Sequence, residues 1–194
     1  MRLQRTLVAA AAALTFLAGC SSESSADPQG FNDADVDFAT DMIQHHAQAL
    51  EMVDMTVGRE LDPEVAALAE QIRAAQAPEI EQMADLLEDW DEPVPETSRD
   101  HANAHAEGHG GGGDMDADMP GMLGTDELET LRVAPPEQFE AMFLSLMIEH
   151  HQGAVTMAEE VVENGQNAET EQLAQEIIDA QQAEIAHMQG LLRD

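Results

Sequence analysis

The stretch MIQHHAQALEM, residues 42–52, decides the fold of this chain because a similar stretch occurs a second time in the sequence. The second copy reads MIEHHQGAVTM and occupies residues 147–157, at an offset of 105 positions from 42 to 147. The same offset aligns apolar residues far beyond the motif without a gap, for example Leu68 with Leu173. The chain therefore reads as two copies of one unit of roughly 60 residues.

Each unit reads as two amphipathic helices joined by a turn. Apolar residues in the first copy recur at steps of three and four, which is the period of a helix with one buried face. No stretch shows the clean alternation of a strand. The sequence therefore predicts an all-α antiparallel four-helix bundle built from two repeated helical hairpins. Helix starts are predicted at residues 32–35, at Asp62-Pro63 and at Pro135-Pro136, and turns at Gly58 and at residues 164–167.

The N-terminus has the pattern of a secretory signal. Arg2 and Arg5 precede an apolar run at residues 7–18, and the run ends in the sequence LAGC. This ending resembles the lipobox of prokaryotic lipoproteins, in which the cysteine becomes residue one and carries the lipid. Cys20 is the only cysteine, so it cannot form an internal disulfide. We expect an exported protein that is lipid-anchored at the outer face of the cytoplasmic membrane; an ordinary secretion signal with a chance cysteine is the alternative.

Composition divides the chain into segments. Gly, Asp, Pro and His dominate the region between the hairpins, which predicts a mobile linker with a short helical stretch at its His-bearing start. The predicted segments are a signal peptide (1–19), a flexible tether (20–34), hairpin 1 (35–92), a linker (93–134) and hairpin 2 (135–194), with the two hairpins forming one domain.

The charge of the chain is strongly negative. The chain contains seven Arg, no Lys and 40 Asp and Glu residues, which gives a net charge of -33. Nucleic acid is excluded as a partner because phosphate binding needs a cationic face. The charge suits attraction of metal cations, and it equally suits solubility.

Helical phasing separates the two histidines of each motif. His45 falls in the apolar seam and His46 about 100° away on its flank, and His150 and His151 fall in the same way. Gln76 and Glu79, with Gln181 and Glu184 in the second copy, lie among apolar residues of the partner helices. Such buried polar groups must be satisfied. Either a hydrogen-bonded network joins His45 to a Glu or Gln across the bundle, or a metal is bound.

The residue types favour a soft metal. Imidazole nitrogen with thioether sulfur suits copper, above all Cu(I), whereas carboxylates would extend the choice to Zn, Fe or Cu(II). Methionine stripes are also common core filler. The candidate metal ligands are His45, His46, Met42, Met52, Met83 and Glu79, with their counterparts His150, His151, Met147, Met157, Met188 and Glu184.

The linker carries a second group of candidate ligands. Spaced His and Met residues in an exported segment resemble the Met- and His-rich copper-binding tracts of extracytoplasmic copper proteins. Such a tract would capture metal weakly and exchange it easily; a polar, Gly-rich spacer with incidental His and Met is the alternative. The residues are His101, His105, His109, Met115, Met119 and Met122.

The sequence gives little support for an enzyme of a known motif class. A di-iron bundle needs two Glu-x-x-His motifs, and Glu184 to His187 supplies one, whereas Glu79 is followed by Gln82. Covalent haem is excluded because no C-x-x-C-H is present. No nucleophile has a base beside it.

The doubled M-I-x-H-H-x-x-A-x-x-M pattern resembles the DUF305 proteins, over residues 35–87 and 136–192. The resemblance implies a ferritin-like four-helix bundle, an exported protein and, as for some members, extracytoplasmic copper binding and resistance. It implies a candidate site at Met42, His45, His46 and Met52 and at Met147, His150, His151 and Met157.

We therefore predict a non-enzymatic, membrane-anchored lipoprotein that binds copper for buffering, resistance or delivery. One alternative is a structural or interaction lipoprotein whose buried histidines make hydrogen bonds within the core and bind no metal. A metal-dependent oxidoreductase is the third. The sequence leaves open any protein partner, association with copies of itself, and whether the two repeats share one site.

Overall fold

The computed structural model describes residues 30–97 and 119–193. These ranges contain helices and no strand. α1 packs along α2, α4 packs along α5, and α1 and α4 lie against each other between the two hairpins. The prediction of an all-α bundle of two hairpins is confirmed. The helices are α1 (Asp33–Asp54), α2 (Pro63–Asp89), α3 (Thr125–Arg132), α4 (Pro136–Asn164) and α5 (Ala168–Leu191).

The helix starts follow the capping residues in the sequence. Asn32 caps α1 in a capping box with Asp35. Asp62 caps α2, where its carboxylate accepts the Glu64 N–H, and a proline follows at the first helical position. Asn167 caps α5 through the N–H groups of the first turn. The predicted starts of these helices are confirmed, and α1 begins two residues before the predicted hairpin boundary.

Carboxylates tie each hairpin to the turn of the other. The Asp35 carboxylate, fully buried on α1, accepts the backbone N–H groups of Gln166 and Asn167 in the turn between α4 and α5. Glu140 on α4 accepts the N–H of Asp62 in the turn before α2 at 2.5 Å. Because a side chain of α1 bonds to the turn of hairpin 2 and a side chain of α4 bonds to the turn of hairpin 1, these bonds fix the position of one hairpin along the other.

Asp35→Ala is expected to lower the free energy of unfolding by about 3 kcal/mol, because the part-buried N–H groups of the turn and of Asn32 lose a fully buried carboxylate acceptor. Glu140→Ala is the matched control. Its single bond is exposed to water, so its loss should cost no more than about 1 kcal/mol. Urea unfolding measures both values, and equal losses would contradict the role given to Asp35.

The end of the predicted linker is folded onto the bundle. α3 buries Leu131 completely, and Leu123 and Ala134 on either side of it are nearly buried. The prediction of a flexible linker as far as residue 134 is therefore wrong for residues 119–134. The sequence TDELETLR has only two apolar residues, so its short apolar face gave no helical signal strong enough to predict α3.

Several predictions lie outside the described residues: the signal peptide, Cys20, most of the tether, and His101, His105, His109 and Met115. Within the described ranges, no helix is both long and apolar enough to cross a membrane.

Candidate metal centre

His45 and His150 meet at the centre of the bundle. Their ring centroids lie 3.8 Å apart with the planes tilted by 38°, and both side chains are fully buried. His45 lies on α1 and His150 on α4, so the doubled motif brings its two copies to one place. The burial that helical phasing predicts for these two residues is observed.

The second histidine of each motif binds a glutamate. His46 Nε2 lies 2.7 Å from Glu79 on α2, and His151 Nε2 lies 2.8 Å from Glu184 on α5. Both imidazoles are fully buried, whereas the two carboxylates retain some contact with solvent.

These pairs correct two expectations. The flank of the seam, on which His46 and His151 lie, is fully buried, and Glu79 pairs with His46 instead of His45. The physical reason is that α2 packs closely on the flank of α1. That flank is therefore an interior surface, and a carboxylate on α2 meets the flanking histidine before it can reach the seam.

The hydrogen bonds define which ring nitrogens are free. A carboxylate or a carbonyl oxygen accepts, so Nε2 is the donor in His46 and His151. The same holds for His45, whose Nε2 lies 3.0 Å from the Pro120 carbonyl oxygen. Their Nδ1 atoms are buried and have no hydrogen-bond partner. Histidines that bind metals characteristically donate the other ring N–H to a carboxylate or a backbone carbonyl, which is the arrangement found here.

The central pair is held in the neutral state. Burial, reinforced by the neighbouring His46, lowers the pKa of His45 from its usual 6.5 to about 3. Burial, reinforced by His45, also lowers the pKa of His150 well below 6.5. Neutral imidazole is the form that binds metal ions, so no proton has to be displaced from the free nitrogen at neutral pH.

Six of the candidate methionines form two groups, one on each side of the histidine pair. On α1, Met42 lies about 4.5 Å along the helix axis before His45 and Met52 about 10.5 Å after it. Each group draws one methionine from α1, one from α4 and one from an outer helix. The first group is Met42, Met83 and Met157, and the second is Met52, Met147 and Met188.

Unpartnered polar atoms concentrate around this centre. Within the described residues, nine buried side-chain nitrogen and oxygen atoms have no hydrogen-bond partner. All nine belong to the four motif histidines and to Gln76 and Gln181, the glutamines singled out by their place in the apolar pattern. Buried polar groups are normally satisfied. Such a concentration of free donors and acceptors in an apolar core fits a bound ligand with several contacts.

The donor set indicates the chemistry of that ligand. Across residues 30–97 and 119–193, no three side chains from His, Cys, Asp and Glu are arranged to hold one metal ion. Glu184 is paired with His151, and His187 is exposed to solvent on α5. The donors that share the core are therefore imidazole nitrogens and thioether sulfurs, a combination that suits copper and other soft cations.

The linker residues divide between described and undescribed parts of the chain. Met119 and Met122 lie half-buried beside the bundle, and between them the Pro120 carbonyl contacts His45. Sequence reasoning missed three residues of this region, namely Pro120, Gln48 and Gly153. The signal for two of them was the offset of 105, because Gln48 and Gly153 occupy corresponding positions with very different side chains.

The fold and this core define a helical-bundle protein in which two hairpins enclose a histidine pair flanked by methionines. The chain belongs to the DUF305 family, a domain of unknown function whose model matches residues 35–192. This confirms the family that the doubled motif indicated. No curated protein matches the sequence.

Solved structures of the same fold include metal-bound ones. A DUF305 fragment from Deinococcus radiodurans is 35% identical with a TM-score of 0.68, and the match covers 83% of this chain and 96% of that one. A DUF305 protein from Streptomyces coelicolor, described as secreted, is 34% identical with a TM-score of 0.68, covering 82% and 92%. CopM in a Cu(II)-bound form is 32% identical with a TM-score of 0.63, covering 82% and 95%. CopM is also known with Cu(I) and with silver bound.

Proposed function

We propose that this protein is an exported lipoprotein, anchored through Cys20, that binds copper, preferentially as Cu(I), for buffering, resistance or delivery. One observation carries the proposal: the nine unpartnered polar atoms lie on residues of a core that also contains the six candidate methionines. The Cu(I), Cu(II) and silver that CopM binds support a metal of this class. The Streptomyces coelicolor relative, which is described as secreted, supports export.

The roles of the residues follow from their contacts. His45 and His150 supply the primary nitrogen ligands, because both are buried, neutral and adjacent. The two methionine groups supply thioether ligands on either side of this pair. The contact between the rings of the two repeats supports one shared centre. Thioethers and neutral imidazoles add no charge, so they suit a monovalent soft ion better than a hard divalent one.

The region outside the core is assigned a capture role. The His and Met residues of the linker bind metal weakly and exchange it with the core, and the net charge of -33 raises the local concentration of cations. Met157 gives the core an opening towards solvent, since it lines a cavity of about 180 Å³ whose rim includes Asp37, Asp41 and Glu160.

Competition titration tests the proposal. The chain beginning at Ser21 is titrated with Cu(I) against a chelator of known affinity, and in parallel with Zn(II), beside a variant that lacks residues 98–118. We expect tight Cu(I) binding, much weaker Zn(II) binding, and retention of the tight Cu(I) site in the deletion variant. If the wild-type chain binds Cu(I) tightly and the deletion variant does not, the linker holds the metal and the core histidines are structural.

A specific observation supports a second candidate function. The His46–Glu79 and His151–Glu184 pairs are a buried polar network of the kind expected in a purely structural bundle. That function leaves the side-chain amides of Gln76 and Gln181, the Nδ1 atom of His45 and both ring nitrogens of His150 without partners, whereas a bound metal would give the histidine nitrogens a partner. An interaction protein of this kind would show no Cu(I) binding beyond that of an acidic chain of the same charge.

Glu79→Gln combined with Glu184→Gln is expected to weaken Cu(I) binding by about 10–100-fold. His46 and His151 serve as second nitrogen ligands in this proposal. The carboxylates orient them and raise the basicity of their free nitrogens, and loss of such partners typically has an effect of that size. The same titration measures it. Glu81→Gln with Glu176→Gln, at exposed positions on α2 and α5, is the matched control for charge. Equal effects of the two double variants would show that only net charge matters.

A further inference from the structure

The connecting segment, residues 119–124, is held on the bundle by one side chain of α1. The Gln48 amide donates to the Leu123 carbonyl at 2.9 Å and its oxygen accepts the Leu123 N–H at 2.8 Å. All of these atoms are buried. Gln48 lies three residues, just under one helical turn, after His45. The Nε2 atom of His45 lies 3.0 Å from the Pro120 carbonyl oxygen of the same segment. The segment therefore follows α1 directly over the histidine pair.

On α4 the same segment contacts the helix backbone directly at Gly153, which has no side chain. A Cβ atom at Gly153 would lie 1.9 Å from the Pro120 carbonyl oxygen and 2.8 Å from the Gly121 Cα, so only glycine fits. Gly121 has a φ of +75°, which other residues rarely adopt, and a Cβ there would lie 2.7 Å from the Glu149 carbonyl oxygen. Main chain thus meets main chain within one helical turn of His150.

Gln48 and Gly153 stand at corresponding positions of the two motifs, 105 residues apart. One connecting segment can cover a nearly symmetric core in only one orientation. One position therefore has a side chain that binds the segment, and the other has no side chain at all. These two corresponding residues differ strongly, and both contact the connecting segment. This indicates a binding surface built for the segment rather than incidental packing.

We propose that Gln48 is a positioning residue of the metal centre. Together with Gly153 it fixes the connecting segment so that the Pro120 carbonyl accepts the Nε2–H of His45, which leaves Nδ1 as the nitrogen that binds the metal. His150, with neither ring nitrogen bonded, is the adaptable member of the pair. The segment also carries Met119 and Met122, so it joins the capture tract to the core. The metal part of this inference rests on the proposed function.

Gln48→Ala tests the positioning role without metal. In the wild-type chain, nitrogen-15 NMR should show His45 as a single Nε2–H tautomer, and the Leu123 amide should exchange slowly with solvent. In Gln48→Ala, both tautomers of His45 should appear and exchange of the Leu123 amide should accelerate at least about tenfold, since its buried acceptor is gone. Gln152→Ala, at an exposed position beside Gly153, should change neither property. Gln48→Glu, which keeps the acceptor for Leu123 N–H, should partly restore both.

Metal binding provides the second readout. Cu(I) affinity should fall about tenfold in Gln48→Ala, the low end of the effect of losing an orienting group. An unchanged His45 tautomer with unchanged affinity overturns the positioning role while the proposed function stands. Absence of Cu(I) binding in the wild type overturns the proposed function and the metal part of this inference. The tautomer experiment then decides separately whether Gln48 orients His45.

Discussion

Replacing His45 and His150 together by alanine is expected to weaken Cu(I) binding by at least about 100-fold. Loss of a single orienting partner of a ligating histidine typically costs about 10–100-fold, and here both central nitrogen donors are removed. The six methionines and the two flanking histidines remain, so weak Cu(I) binding, similar to that proposed for the linker, should persist. A chelator titration gives the affinity, and the change in stoichiometry shows how many ions the central pair serves.

The control for this experiment is His187→Ala. His187 lies on α5, is exposed to solvent and has the same chemistry, so its loss should leave the affinity unchanged. Folding of the double variant is checked by urea unfolding without metal. The central imidazoles have several unpartnered buried atoms, so removing them should not unfold the bundle. Tight Cu(I) binding that survives in the double variant would assign the metal to other residues.

The bundle itself was predictable because its signals are local and repeated. The offset that aligns MIQHHAQALEM with MIEHHQGAVTM predicts two similar hairpins. The steps of three and four predict which face of each helix is buried, and His45 and His150 are found on it. Caps such as Asp62 act within one helical turn, so they too can be read from the sequence.

The partners of the flanking histidines were not predictable in the same way. Glu79 bonds to His46 rather than to His45 because of how α2 is rotated against α1, and that rotation is set by packing along the whole interface. Periodicity gives the angle of a residue around its own helix. It gives no information about the angle of the neighbouring helix, so the expectation that the carboxylate would bond to His45 was wrong.

The connecting segment could not be predicted because its contacts are long-range and use main chain. Gln48 binds the backbone of Leu123, 75 residues away, and any residue could supply those backbone atoms. Gly153 likewise indicates only a weak point of a helix until the connecting segment is seen against it. Comparing the two copies position by position would have marked both residues as places where the symmetry is broken.

Lowering the pH from 7 to 5 is expected to destabilise the metal-free protein by about 2 kcal/mol through His45 alone. The pKa of His45 is about 3 in the folded chain and 6.5 when exposed, so between these values the unfolded chain binds a proton that the folded chain does not. Stability is therefore present above pH 6.5 and is lost progressively as the pH falls towards 3. His150 acts in the same direction, because its pKa is also lowered by burial.

Urea unfolding at pH 7 and pH 5, with a chelator present, measures this dependence. Protonation of the many carboxylates reduces the self-repulsion of a chain with a net charge of -33 and opposes the effect. A His45→Leu/His150→Leu variant has the same carboxylates and isolates the histidine contribution as a difference between the two pH profiles. That variant should lose less stability than the wild type on acidification. Parallel profiles would mean that the central histidines take up protons in the folded chain as readily as in the unfolded one.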